Sequence, residues 1–220
     1  MSAEMMESLP LRVATKAEAV YLELRARILD GSYEPASTLN QEALAAKLGL
    51  SITPLREALR RLEAEGLVHL EAHRTMTIAP LTRRELNELY AVRLHLDPLA
   101  ASLAAEHAGE AQLDQIRRLA GERAEHTPRA QLEANRIFHR AVYAASGNLV
   151  LTQVLDQLWN RTDRYRLIVL QERIHERVAG AEHREIAAAL TAKDAERVAQ
   201  LVHRHVEKTQ RLIEQIGHVL

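Results

Sequence analysis

The sequence predicts a mainly α protein in two parts: three short helices with a small β hairpin, then an all-α bundle of about six helices. Three observations carry this expectation. Aromatic residues make up only 3% of a chain that is 47% hydrophobic, so the core is built from Leu, Ala, Val and Ile, and the abundant Ala, Leu, Glu and Arg favour helix. Apolar residues recur at helical spacing through most of the 220 residues. The one stretch with strand character is LVHLEAHRTMTIAP, which reads as two short strands around a polar centre.

The first helix is expected where Ala19, Tyr21, Leu22, Ile28 and Leu29 recur before a stop at Gly31. After the turn-rich GSYEPAS, Asn40 caps a second helix whose Leu44 and Leu48 share a face and which ends at Gly49. Ser51 and Thr53 supply capping hydroxyls to a third, Pro54 suits its first position, and Leu55, Ala58, Leu59 and Leu62 form its apolar stripe up to Gly66. The hairpin follows. From Thr82 onward the helical pattern is interrupted at HAGEAQ, GERAEHTPRA, SGN, ERVAGAEH and LTAKD. Pro80 and Thr82 mark the change of regime, giving an N-terminal domain over residues 1–80 and a C-terminal domain over residues 81–220, with ELNELYAVRLHLD as a connecting helix.

Composition excludes several classes. With 27% charged residues the chain is an ordinary globule rather than a fibre or a disordered segment. Its 29 basic and 30 acidic residues leave a net charge of −1, so any nucleic-acid contact is local. The absence of cysteine removes disulfides and thiolate metal sites. The first twenty residues lack a basic start and a long apolar run, and no later stretch reaches a membrane-spanning length. A soluble cytoplasmic protein with no membrane partner is expected.

Three helices and a hairpin, with a tight LGLS turn between the second and third helices, form the layout of a winged helix-turn-helix. On the third helix the buried stripe leaves Arg56 and Arg60, four residues apart, on an exposed face. An Arg fork fits guanine O6 and N7 or phosphate, and the helix N-terminus with Ser51 and Thr53 can hold phosphate through backbone amides. The bland alternative is a solvated face on which Arg56, Glu57, Arg60 and Arg61 form local ion pairs.

SITPLREALRRLEAEGLV and the preceding LRARILDGSYEPASTLNQEALAAKLGLS resemble the GntR family of bacterial transcription regulators over residues 17–80. The resemblance implies that Ser51, Thr53 and Arg56 contact an operator and that Arg74 lies in a wing reaching a minor groove. Arg60 is a geometric addition. The chain departs from the family at Ile52 and Glu42, where Arg is usual or frequent, and at Thr75, where Gly is usual at the wing tip. Operator preference therefore does not carry over.

The C-terminal part holds nine of the eleven histidines. Asn135 and His139, four residues apart, project from one helix face. His183 and His205 lie equally far on either side of Asp194, so an antiparallel hairpin returns them to the same height. Three imidazoles and one amide oxygen converging in a bundle suit a divalent transition metal, with zinc, nickel or manganese the ions to consider. The alternative is that they are ordinary core or surface histidines. His203, two residues from His205, should face elsewhere.

NRIFHRAVYAASGN, AEHREIAAAL and KDAERVAQLVHRH resemble the all-helical FadR-type C-terminal domain of the same family. The resemblance implies a metal held by an Asp and three His that helps bind a small carboxylate effector, with His139, His183 and His205 in the three His positions. Asn135 stands where Asp is usual, and a neutral amide attracts a dication less. Arg93 matches a position commonly Arg, whose fork suits the effector carboxylate or a structural ion pair. The WNRTDRYR segment lines a pocket or covers a helix face.

The function expected is a homodimeric repressor or activator straddling a pseudo-palindromic double-stranded operator, with its affinity set by the effector. A metal-free effector pocket is one alternative, and a metal-dependent hydrolase is another. Against the hydrolase, the nearest acid in LEANRIFH is Glu133, which should point away from Asn135.

Overall fold

A computed structural model describes residues 15–70, 75–121, 127–171 and 178–215. The chain runs α1 (Lys16–Leu29), β1 (Thr38–Asn40), α2 (Gln41–Lys47), α3 (Ile52–Ala64), β2 (Val68–Leu70) and β3 (Thr75–Ile78). It continues through α4 (Arg83–His107), α5 (Glu110–Gly121), α6 (Pro128–Ala145), α7 (Leu149–Gln171), α8 (Val178–Thr191) and α9 (Ala195–Gln215). The six C-terminal helices, and the three N-terminal ones, match the expectation in number and order among the described residues.

The N-terminal part has its own core, in which Leu24 and Ile28 of α1 meet Leu55, Leu59 and Leu62 of α3 and Val68, Met76 and Ile78 of the sheet. Each such fully buried side chain contributes about 1.5–3 kcal/mol of transfer free energy. The phase of α1 differs from expectation. Its buried residues are Val20, Tyr21, Leu24 and Ile28, whereas Leu22 is 52% exposed. Leu22 sits half a turn from Leu24, and the packing of α3 decides which stripe is used.

The sheet also differs. Beside the expected hairpin of β2 and β3, β1 pairs antiparallel with β3, placing Leu39 opposite Met76, in the order β1-β3-β2. Three residues are too few to show an alternation. Moreover, Asn40 ends the strand and at once caps α2 by accepting from the Ala43 amide at 2.9 Å.

A second core fills the bundle, with Leu86, Tyr90 and Ala101 of α4, Phe138 and Val142 of α6, Leu155 and Trp159 of α7, Leu190 of α8 and Val202 of α9. Thr82 and Thr127 cap α4 and α6, each accepting from the amide three residues on. Lys193, at φ 57°, turns the chain between α8 and α9 and donates to the Ala108 carbonyl at 2.7 Å. The break expected at ERVAGAEH is partly helical, since α8 already begins at Val178.

Candidate functional site

The third helix presents outward the polar face expected to read DNA. Leu55, Ala58, Leu59 and Leu62 are completely buried, and Ser51, Thr53, Arg56 and Arg60 are exposed beside them. Ser51 is the N-cap, but its hydroxyl makes no capping bond and Pro54 falls third in the helix rather than first. These two facts are linked. The caps Thr15, Asn40, Thr82 and Thr127 all accept from the third helical amide, and Pro54 has no amide hydrogen to offer. The Ser51 hydroxyl is thus left available at the positive end of the helix.

Among the described residues the ion-paired alternative holds for only one of the three arginines. Arg61 bonds Glu18 and lies 3.8 Å over the Tyr21 ring, so it fastens α3 to α1. Among the described residues Arg56 and Arg60 form no ion pair. Arg74 lies outside the described residues.

In the bundle, α6, α8 and α9 bring His139, His183 and His205 together, with one ring nitrogen of each within 4.8 Å of the others. All three are buried. His139 Nε2 and His205 Nε2 are 3.1 Å apart, and the His183 ring stacks on Phe138 at 4.0 Å between centroids. Burial is the main cause that pushes each imidazole below its ordinary pKa, aided at His139 by the charge on the other two histidines and on Arg166 and Arg93. The imidazoles are therefore neutral at physiological pH, so each keeps one ring nitrogen whose lone pair can serve a Lewis acid.

The donor set fits a divalent transition metal. His183 Nε2 and both side-chain polar atoms of Asn135 are buried without a hydrogen-bond partner among the described residues, and unsatisfied buried donors and acceptors are costly unless something fills them. His205 Nδ1 lies 2.7 Å from Glu182 Oε2, and Lys208 also donates to that carboxylate. A proton on Nδ1 held by Glu182 turns the Nε2 lone pair toward the other histidines, an arrangement typical of metal-ligating imidazoles. His203 is exposed, as its offset predicts.

Arg93 is buried rather than open. Its guanidinium donates to Asp97 Oδ2 at 2.7 Å and to Thr162 Oγ1 at 3.0 Å, and it lies 4.5 Å over the Trp159 ring. Tyr143 donates to the same Asp97 oxygen at 2.8 Å and accepts from Trp159 Nε1 at 3.1 Å. Trp159 in turn lies 4.9 Å from the His139 ring. This polar network is therefore the wall of the histidine site.

Sequence reasoning missed Glu182 and Arg166. The first sits beside His183 in AEHREI, and the antiparallel return that aligns His183 with His205 could have found it. Arg166 lies 4.9 Å over the Trp159 ring, and among the described residues it has no ion pair. Its place in WNRTDRYRL, two turns after Trp159, was the available signal. Glu133 is exposed and faces a cavity between α1 and α6, away from the histidines, as its offset from Asn135 predicts.

A winged helix-turn-helix joined to a helical bundle with a buried ligand-type site defines a ligand-responsive DNA-binding regulator. Residues 16–78 match the family described as bacterial regulatory proteins, gntR family, and residues 88–208 match the FCD domain. The chain belongs to the GntR family of bacterial transcription regulators and carries an FCD ligand-binding domain. It is 29% identical over 185 residues to the HTH-type transcriptional regulator McbR of Escherichia coli, covering 79% of this chain and 81% of McbR. It is 26% identical over 203 residues to the HTH-type transcriptional repressor GlaR of the same species, covering 84% of this chain and 90% of GlaR. The solved structure of E. coli McbR/YncC superposes with a TM-score of 0.75 at 26% identity, covering 92% of this chain and 99% of that one. These are regulators rather than enzymes, and the hydrolase alternative falls. Among the described residues no helix is long and apolar enough to cross a membrane.

Proposed function

We propose that the protein is a cytoplasmic, homodimeric transcription repressor whose three-histidine site binds a divalent transition metal and, through it, a small carboxylate effector that sets operator affinity. In this reading residues 1–80 read DNA, and residues 81–220 bind the effector and dimerise. The observation that carries it is the convergence of His139, His183 and His205 from three helices, neutral and buried, beside polar atoms of Asn135 and His183 that lack partners among the described residues. Repression is supported by the relative GlaR, named a transcriptional repressor.

When bound, the metal would supply a Lewis-acidic centre for a carboxylate oxygen. His139, His183 and His205 would hold it, with the Asn135 amide oxygen as a weaker fourth donor. Glu182 would orient His205 and raise its basicity. Zinc, nickel and manganese remain the candidates, because a set of three imidazoles and an amide does not select among them. Arg166, without an ion pair among the described residues, offers its guanidinium to the carboxylate. Arg93, already held by Asp97 and Thr162, braces the wall and reaches the effector only by exchanging a partner.

On the DNA side Arg56 and Arg60 reach base edges or phosphate, and Ser51 and Thr53 hold phosphate at the N-terminus of α3. By the family resemblance Arg74 would supply the wing contact. Dimerisation places two such helices on a pseudo-palindromic duplex. Support for it comes from Val92 and Leu99, 44% and 47% exposed and two turns apart on α4, an apolar stripe suited to a second copy.

The test is elemental analysis of purified protein beside His139→Ala and His203→Ala. Near-stoichiometric metal lost only in His139→Ala is expected. No metal in any sample, even after soaking with zinc or nickel, overturns the metal and leaves a metal-free pocket.

A further inference from the structure

The sequence segment WNRTDRYR has two faces, and the regulator reading uses only one. Trp159, Thr162, Asp163 and Arg166 lie on one side of α7, while Asn160, Arg161, Arg164 and Tyr165 lie on the other, as steps of about 100° per residue require. We infer that Asn160, Arg161 and Arg164 are positioning residues for the DNA-reading domain, set on the same turns of α7 that form the wall of the histidine site. The inference rests on the regulator reading and names how the site is connected to DNA.

The contacts are specific. Asn160 Oδ1 accepts from the guanidinium groups of both Arg25 in α1 and Arg136 in α6. Arg25 Nε also donates to Glu65 Oε2 at 3.2 Å, and Glu65 is the C-cap of α3. The rear end of the DNA-reading helix is thus tied through Arg25 to α7. One residue on, Arg161 donates to Glu85 at 3.0 Å and lies so near Gly66 that a Cβ there would meet its Nε at 3.2 Å. Arg164 donates to the Ala79 carbonyl. Tyr165 accepts from the Thr82 amide at 3.1 Å. Together they pin the segment that joins β3 to α4.

On the opposite face, Trp159 contacts His139 and Tyr143, and Thr162 accepts from Arg93. A ligand changes DNA affinity only by binding two arrangements of the protein unequally. Any small rotation or slide of α7 made to seat a ligand at Trp159 is transmitted to Asn160 and Arg161, because they share the helix backbone. A cavity of about 490 Å³ between α1 and α6–α7, lined by Arg25, Asp30, Arg129, Arg136 and Asn160, leaves the winged domain room to pivot once this latch is released.

The experiment uses the full-length protein and three variants, Asn160→Ala, Asn160→Asp and Arg164→Gln. Amide relaxation reports whether the winged domain and the bundle tumble as one body. The emission of Trp159, the chain's single tryptophan, reports on the site. The wild type is expected to tumble as one body, and a mixed-sequence duplex added at low ionic strength, where winged domains bind without sequence preference, shifts its Trp159 emission. In Asn160→Ala and Arg164→Gln the winged-domain amides should acquire a shorter correlation time than the bundle. Duplex should still bind, but the Trp159 shift should be lost. Asn160→Asp, which keeps the acceptor, should restore both.

Several results overturn the inference: a wild type that tumbles as two bodies, a wild-type Trp159 that ignores duplex, variants that behave as wild type, or an Asn160→Asp that fails to rescue. An altered near-ultraviolet spectrum of the bundle in Asn160→Ala also overturns it, since Asn160 would then serve packing. Failure to find metal or carboxylate in the histidine site sinks the regulator reading's effector chemistry and leaves the tumbling result unchanged.

Discussion

Replacing Arg93 with Met separates a buried structural pair from a group kept free for a ligand. Arg93 and Asp97 expose only 2% and 0% of their side chains, and the guanidinium makes three bonds, to both Asp97 oxygens and to Thr162. In Arg93→Met the Asp97 carboxylate keeps the Tyr143 hydroxyl at 2.8 Å as its one remaining side-chain donor among the described residues. Removing one partner of a buried pair costs about 3–5 kcal/mol, because the other charge is left uncompensated. For a chain of this size each kcal/mol shifts the melting temperature by about 2–4 °C, so a fall of roughly 10 °C is expected. Replacing both members with apolar residues is often close to neutral. Arg93→Met/Asp97→Leu should therefore recover much of the loss, with a coupling of about 2 kcal/mol or more. Urea unfolding followed by circular dichroism, with Trp159 emission as a local probe, measures all four corners of the cycle. A single variant losing less than about 1 kcal/mol, or a double variant equal to the sum of the singles, would refute the pairing argument.

Two further outcomes are expected. Arg56→Ala should abolish sequence-specific operator binding in a gel shift while leaving fold and oligomeric state intact, because Arg56 is exposed and unpaired among the described residues. Unchanged affinity removes it from the reading face. In metal-free protein burial holds all three histidines below their ordinary pKa, His139 and His183 most strongly, whereas the unfolded chain takes up protons as pH falls through the ordinary histidine range. Stability should therefore be full above about pH 6.5 and fall as pH drops below it, by up to about 1.4 kcal/mol per pH unit for each histidine. Urea midpoints in chelator between neutral pH and pH 5 check this, and a His139→Gln variant should show a shallower slope. A flat profile, or an equal slope in the variant, contradicts the burial argument.

Asn135 bears directly on the chemistry of the site. With three neutral imidazoles and a neutral amide, the donors carry no formal charge to offset a dication, and the negative charge nearest in the hydrogen-bond network is Glu182, one bond removed through His205. A carboxylate effector would itself neutralise the ion. Metal and effector are then expected to bind with positive coupling, each raising the affinity for the other. In the proposed reading the same electrostatics would give Arg166 its role, since a guanidinium beside a metal ion would be unfavourable until an anion joined them.

Much of this architecture was written locally in the sequence. The stripe Leu55, Leu59 and Leu62 determined which face of α3 is buried, and hence that Arg56 and Arg60 look outward, because an exposed charge and a buried leucine are sorted by helical period alone. The spacing of Asn135 and His139 set both on one face of α6, and the symmetry of His183 and His205 about Asp194 brought those two level across one antiparallel turn, but that α6 packs where His139 meets them was decided by the tertiary structure. What depends on contacts between distant segments was decided only by the tertiary structure. The phase of α1 hung on its packing against α3, which buried Leu24 and exposed Leu22. The strand at Thr38–Asn40 exists because β3 offers it an edge, the fate of Arg93 was settled by Asp97 and Thr162 together, and the link from Asn160 through Arg25 to Glu65 joins residues far apart in the chain. Pairing of this kind has no period, so no local pattern in the sequence could have announced it.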